Sequence, residues 1–315
     1  MLRFIALFAI LVVVLLGVVV WVYPSNRDFG PENPFWNGLA DFCSDFDPER
    51  VASLAELPSQ PQGTALVLIP YETFTVGELE RLEKYAADGG TLILLDDYGY
   101  GNEVLSHLDI TPRFTNDVLL DPLFNFANSY FPKATYTPAS SAPEDEGSIV
   151  FNHGSTLTFN DMSSGSVLAW SSRFSYLDEN DNSVWDEDEG EAKGPLPIAY
   201  SMIYESGHIV LVSDPSILIM LDTDDNLPFF NDVITIGHAS PALILDESHL
   251  PPSSLDKTQG MLERTRSALA TPQGVVGMVL VALLLVMIPI WRRHTYPAPE
   301  ILRIDQGGDD AKGTE

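Results

Sequence analysis

Two long apolar segments, one near each end of the chain, restrict the fold more than any other feature. Phe4 to Val22 reads FIALFAILVVVLLGVVVWV, nineteen residues without a charge. Near the other end nothing between Arg266 and Arg292 is charged, and Val275 to Trp291 is almost wholly apolar. At about 1.5 Å rise per residue, some 20 apolar residues match the roughly 30 Å hydrocarbon layer of a bilayer. The pattern predicts transmembrane helices at residues 4–23 and 271–291, with one domain, residues 24–270, between them. A cleaved signal peptide is the alternative for the first segment. Its apolar run exceeds the usual ~7–15 residues, and WVYPSN follows with no small-x-small site, so it reads as an uncleaved anchor. A buried core helix is the alternative for the second. Arg292, Arg293 and His294 follow it at once, and Trp291 and Tyr296 suit a membrane interface.

The cations set the orientation. Arg3 precedes the first span and Arg292–Arg293 follow the second, and positive residues stay in the cytoplasm. Residues 1–3 and the tail 292–315 are expected inside, and the central domain outside, in a two-span protein of the cell membrane. Arg264 and Arg266 lie against that rule. The 315 residues include 45 acidic and 16 basic side chains, a formal charge of −29. Such a balance argues against nucleic acid as a partner, because phosphate binding needs clustered Lys and Arg. Yet 45% of the residues are hydrophobic and the mean hydropathy is slightly positive, a surplus that the two end segments explain. Cys43 is the single cysteine, so no disulfide forms within the chain and the domain is held by its core.

Within residues 24–270 the first part alternates helix and strand. Asp47-Pro48 reads as an N-cap and first-turn proline opening a helix to about Leu57. Ala65–Pro70 is a short, wholly apolar strand of the kind buried on both faces. Thr75 and Glu78 form a capping box, Val76, Leu79, Leu82 and Tyr85 a helical stripe, and Gly89-Gly90 a stop. Thr91–Leu95 is the next strand, which makes a β-α-β unit with parallel strands. Residues 111–205, rich in Ser, Thr, Asn, Pro and aromatics, read as a β-rich insertion. The α/β pattern resumes with a strand at His208–Ser213, an Asp214-Pro215 helix start, a helix near Asp225–Gly237 and a strand at Ala242–Leu245.

In open α/β sheets, ligands sit beyond the carboxyl ends of the strands. Asp96-Asp97, Asp214, and Asp246-Glu247 with His249 all fall there. If these strands are neighbours, close carboxylates and a histidine could do acid–base work or hold a cation. The plainer reading is that such aspartates cap the next helix, and Asp214 before Pro215 fits that well.

The order of these motifs resembles a known family. An amino-terminal span, LVLIP, a helix ending in GG, TLILLDDYGYGN, SDPSILIM and LDESH before a second span are similar to the prokaryotic membrane family catalogued as domain of unknown function 4350. That resemblance, which covers nearly the whole chain, implies a class I glutamine amidotransferase-like, flavodoxin-like three-layer α/β sandwich. It also implies envelope partners, since members are often encoded near MoxR-type ATPases and transglutaminase-like proteins. Amidotransferases carry a nucleophilic Cys on the tight turn after a core strand. Here that turn is Asp96-Asp97-Tyr98-Gly99-Tyr100-Gly101-Asn102, with no Cys or Ser. A catalytically silent domain used for binding is therefore expected, with Asp96, Asp97, Asn102, Asp214, Glu247 and His249 lining the ligand site. The alternative is a metal-assisted hydrolase using Asp97, Glu247 and His249.

Residues 178–191 hold eight acidic side chains. Asp178, Asn180, Asn182, Asp186 and Glu189 occupy positions 1, 3, 5, 9 and 12 of a calcium loop, and the Val184 carbonyl position 7. Alternating oxygens of this kind converge on one hard cation, so Ca²⁺ is the cofactor expected. Ser183 replaces the usual glycine at position 6, and the flanks are not helical, so an isolated loop or a solvated acidic loop are the two readings.

Overall fold

A computed structural model describes residues 2–139, 146–159 and 165–295. The chain divides into two units, Met1–Lys257 and Thr258–Glu315. The first unit opens with α1 (Leu2–Val22), α2 (Ala40–Phe46), β1 (Glu49–Val51), β2 (Thr64–Leu68), α3 (Val76–Ala87), β3 (Thr91–Leu95) and α4 (Gly101–His107). Eight strands follow: β4 (Arg113–Phe114), β5 (Val118–Leu120), β6 (Lys133–Tyr136), β7 (Gly147–Val150), β8 (Leu157–Thr158), β9 (Gly165–Ser171), β10 (Tyr176–Asp178) and β11 (Pro197–Tyr204). Then come β12 (Gly207–Val212), α5 (Asn226–Ile234) and β13 (Ala242–Asp246). After these, α6 (Ser254–Ala270) and α7 (Pro272–Thr295) meet at an 87° bend.

The fold is mixed α/β around one nine-stranded sheet in the order β1-β13-β2-β3-β12-β11-β9-β6-β7. From β1 to β12 neighbours run parallel, and from β12 to β7 they run antiparallel. The strands of residues 113–204 thus extend the same sheet and add two ribbons, β5 with β10 and β4 with β8. The parallel strands are apolar on both sides because helices cover both faces. Leu66, Leu68, Leu92 and Leu94 pack with Leu79, Leu82 and Tyr85 of α3 and Val104 and Leu105 of α4. Ala65, Val67, Ile93 and Leu95 pack with Phe42 of α2 and Phe229, Phe230 and Val233 of α5. Phe42, Phe46 and Phe230 lock that second layer through edge contacts near 5–6 Å.

Local signals explain most boundaries. The capping box at the start of α3 is formed, with the Thr75 side chain accepting from the Glu78 amide and Glu78 accepting from Thr75. Asp214 caps the short 3-10 helix Pro215–Ile219, its Oδ1 accepting from the Ser216 amide at 2.7 Å. The helix expected from Asp47 to Leu57 is absent. Asp47 closes α2 instead, in the left-handed region at φ 43°, with its amide donated to the Cys43 carbonyl. Pro48 follows that stop, as proline often does just past a helix end, and Glu49–Val51 are free to pair with β13.

Among the described residues one helix, Phe4–Val22, is long and apolar enough to cross a membrane by itself, and the rest of the protein does not bury it. The bent pair Ser254–Ala270 and Pro272–Ile288 meets the same test only jointly. Residues 296–315, most of the expected tail, lie outside the described residues.

Candidate functional site

The connections after β3 and β12 leave the sheet on opposite faces. β3 leads to α4, and β12 leads through Pro215–Ile219 to α5. Adjacent parallel strands whose loops diverge open a crevice at their carboxyl ends, where α/β sheets bind ligands. Asp96, Asp97 and Asp214 stand there. The Asp96 amide donates to the Val212 carbonyl at 3.1 Å and ties the two strand ends together.

The three carboxyls have different surroundings. Asp96 is buried and builds the turn into α4. Its Oδ1 accepts from the amides of Tyr98 (2.9 Å) and Gly99 (3.0 Å), and its Oδ2 from Gly101 (2.6 Å). Gly99 sits at φ +86°, and a Cβ on Gly101 would stand 2.9 Å from Asp96 Oδ2, so both glycines are demanded by this turn. Burial pushes the Asp96 carboxyl up to about 6 against the pull of those amides. Asp214 is fully buried, and its Oδ2 accepts from the Asn152 amide at 2.6 Å. Burial pushes it to about 7. Asp97 Oδ1 is buried with no hydrogen-bond partner among the described residues. Burial first, then Asp214, then Asp96, push Asp97 to about 8.

Tyr71, beyond β2, completes the crevice. Burial and then Asp97 hold its hydroxyl above the ordinary range. Its ring lies 5.3 Å from Tyr98 and 5.7 Å from Phe29. Tyr71 escaped the sequence reading, although it follows the carboxyl end of an apolar strand and the same rule would have found it. Asn102 makes a structural contact instead. Its Nδ2 donates to the Phe114 carbonyl and its Oδ1 accepts from the Phe114 amide, each at 2.9 Å.

The expected rim of Asp97, Glu247 and His249 divides among separate partners. β13 inserts between β1 and β2, so its end is two strands away from β3. His249 is buried, with Nδ1 2.8 Å from Asp246 Oδ2, Nε2 3.9 Å from Glu78 Oε1, and its ring stacked on Phe74 at 4.2 Å. The Ser248 hydroxyl donates to Asp246 Oδ1 at 2.6 Å and lies 3.0 Å from the same Nδ1. A serine nucleophile would need the opposite ring nitrogen. Glu247 pairs with Arg50, which also reaches Glu32. The Tyr71 amide, donating to the His249 carbonyl at 2.8 Å, is the direct backbone link between the two groups.

The 178–189 loop turns on hydrogen bonds among its own residues. Asp178, at the end of β10, accepts from the amides of Asn182 (Oδ1, 3.0 Å) and Ser183 (Oδ2, 2.9 Å). Asp181 and Ser183 take left-handed φ values of 60°, the sharp turn for which glycine is favoured at position 6. Asn182 Oδ1 accepts from Val184, while the Asn180 and Asn182 amide groups donate to Asp186 Oδ2. The Glu189 side chain lies outside the described residues. Among the described residues, no group of three or more His, Cys, Asp or Glu side chains is gathered to hold a metal.

Residues 36–229 match the family described as Domain of unknown function (DUF4350). The chain belongs to that family. The matched region contains Asp96, Asp97, Asp214 and the 178–189 loop, and ends before Asp246, Glu247 and His249. No curated protein matches the sequence. Part of the chain is similar to the mmIFT52 N-terminal domain, at 15% identity over 55% of this chain and 75% of that one, with a TM-score of 0.41. It is also similar to a β-galactosidase from Bacillus circulans sp. alkalophilus, at 13% identity over 51% of this chain and 22% of that one, TM-score 0.31. A third likeness is the cytoplasmic protein STM1381 from Salmonella typhimurium LT2, at 15% identity over 51% of this chain and 60% of that one, TM-score 0.32. The chain thus spans about a fifth of the β-galactosidase and three fifths of STM1381. Likenesses this distant tie it to none of their activities.

Proposed function

We propose that this DUF4350 protein is a membrane-anchored, extracytoplasmic binding or scaffold protein, built on a catalytically silent amidotransferase-like domain and acting with envelope partners. Two spans hold it in the cell membrane, with both termini cytoplasmic. α1 supplies the first span, and α7 with its long uncharged run the second. The partners are proteins of MoxR-ATPase or transglutaminase-like systems, and Ca²⁺ in the 178–189 loop stabilises the domain. The observation that carries the reading is the occupancy of the site's own groups. The turn after β3 holds no nucleophile, Asp96 is spent on three backbone amides, Asp214 on two, and Glu247 and His249 on Arg50 and Asp246. One carboxyl, Asp97, is left for a ligand, and it carries a proton near neutral pH. The parallel strands run first-fifth-second-third-fourth in chain order, whereas the flavodoxin-like order is 2-1-3-4-5. The amidotransferase-like assignment therefore rests on the β-α-β unit and the glycine turn rather than on strand order.

The test is a screen of the purified full chain against ester, amide and glycan substrates, with and without divalent ions. The expected result is no turnover. Hydrolysis that disappears in Asp97→Asn or Glu247→Ala would establish the metal-assisted hydrolase instead. Retention of the chain in the bilayer after alkaline carbonate washing checks the anchor separately.

A further inference from the structure

The crevice and the chain's membrane connections share one rim of the sheet. Arg27, five residues after α1, donates from its guanidinium to the carbonyls of Glu247 (2.8 Å), Leu250 (3.0 Å) and Pro251 (2.8 Å), directly beyond β13. Ser25 donates to Asp256 Oδ2 at 2.9 Å, and Ser253 to Asn26 at 3.2 Å. Both the segment leaving α1 and the segment entering α6 are therefore stapled at the carboxyl ends of the parallel strands. Phe29, Tyr71 and Tyr98 carry ring contacts from that tether to the crevice. On the antiparallel half the same rim holds the loop before β6 and the turn after β9, which Ser172 joins by donating to Asp121. These two connections display large apolar side chains to solvent: Leu123 (70% exposed), Phe124 (39%), Phe126 (53%) and Phe174 (39%). Arg173 is exposed and lies 4.7 Å from the Phe174 ring centroid, while Lys133, 5.9 Å from that of Phe126, is paired with Asp224 at 2.6 Å. Exposed phenylalanines and a leucine, with Arg173 beside them, on the edge from which the tethers emerge have the makings of a surface that meets the lipid interface.

We propose that this rim is docked on the bilayer, with Leu123, Phe124, Phe126 and Phe174 seated in the headgroup–acyl boundary and the Asp97 crevice opening toward the membrane surface. The site would then receive a ligand presented by the membrane. This inference rests on the anchor reading above, because the tethers orient the rim only if α1 crosses the bilayer. The occupant is lipid itself: the acidic 178–191 loop reaches the same edge, with the Ser183 hydroxyl 2.8 Å from that of Tyr130, so anionic headgroups are repelled, apolar insertion supplies the attraction and zwitterionic lipid suffices.

The test uses the full chain with Cys43→Ser, reconstituted in phosphatidylcholine vesicles, carrying a single cysteine at Phe126→Cys, Phe174→Cys or Ile203→Cys. Ile203 is more exposed than either, at 69%, but lies at the far end of β11, beside the turn to β12. Each cysteine carries an environment-sensitive fluorophore. Nitroxide-bearing lipids are expected to quench the labels at 126 and 174 several-fold more than the label at 203, and aqueous iodide the reverse. Labels at 126 and 174 as open to iodide as the label at 203, in protein that survives carbonate washing, overturn the rim proposal and leave the anchor standing. Labels shielded from iodide but untouched by lipid quencher would mean a protein partner or second copy covers the rim, which also overturns it. Release of the chain by carbonate overturns both readings.

Discussion

Replacing Asp97 by Asn is expected to stabilise the protein above neutral pH and to flatten its pH dependence there. Asp97 keeps its proton to about 8 because burial and its neighbours Asp214 and Asp96 disfavour the anion. In the unfolded chain the same carboxyl ionises in the ordinary aspartate range, near 4. Between those two values the folded state binds the extra proton, so stability falls as pH rises, and the loss is complete once pH passes about 8. At ~1.4 kcal/mol per pH unit the full window corresponds to roughly 6 kcal/mol. Asp97 keeps one side toward water, and Asp214 and Asp96 take part of the repulsion, so on the order of 2–3 kcal/mol should be recovered by the isosteric amide. For a domain of this size that is roughly 5–10 °C in Tm. The assay is thermal unfolding of the detergent-solubilised chain, followed by near-UV circular dichroism at pH 7, 8 and 9. Asp96, at about 6, acts below this window and Asp214, at about 7, loses its proton at its lower edge, so most of the slope between pH 7 and 9 belongs to Asp97. A wild-type slope retained in Asp97→Asn, or a variant less stable than wild type at pH 9, would refute the assignment.

His249→Ala should cost about 2–4 kcal/mol, because it leaves the Asp246 carboxylate buried without its ring partner; chemical denaturation reads this, and a loss below ~0.5 kcal/mol would show that Asp246 is hydrated. The Cys43 thiol, raised by burial to about 11, should resist maleimide at pH 8 until the chain unfolds, and rapid labelling of the native protein would contradict its packing from α2 against the core. Calorimetry on the full chain should show a Ca²⁺ binding heat that Asp178→Ala with Glu189→Ala removes, and a wild type without heat sinks the calcium reading.

The parts of the fold legible in the sequence were those governed by local chemistry. Thr91–Leu95 is a strand because Thr91 and four apolar residues follow a Gly-Gly stop, and Thr75–Glu78 opens a helix because its side chains satisfy two orphan amides. Asp47-Pro48 shows the limit of such signals. The same dipeptide opens a helix or closes one, and what decides is Phe42 and Phe46 burying against Phe230 from the preceding turn. Strand order is further from reach, because it is set by long-range packing. Sequence position puts Asp97, Asp214, Glu247 and His249 beyond strand ends, but only the insertion of β13 between β1 and β2 sends Glu247 to Arg50 and His249 to Asp246 and Glu78. The short strands between Arg113 and Tyr204 read as β-rich from composition, yet nothing local says that four of them extend the main sheet.

Asp96, Asp97 and Asp214 separate the two roles that an aspartate beyond a strand can play. All three are pushed upward by burial, and Asp97, less deeply buried than Asp214, reaches the highest value. Backbone amides make the difference. Asp96 accepts three and Asp214 two, and each amide stabilises the anion at the moment it caps a turn or helix. Asp97 Oδ1 accepts none among the described residues, and it faces the field of both neighbours. The two capping carboxylates therefore act as structural fixtures that create a negative environment, and Asp97 is where that environment is felt. A proton relieves it at neutral pH, and a metal ion or a partner's ammonium group would relieve it by the same electrostatic term. Helix capping and ligand binding are for this reason not competing explanations of the acidic crevice: burial first, and then the two capping carboxylates, leave the third carboxyl in need of a partner.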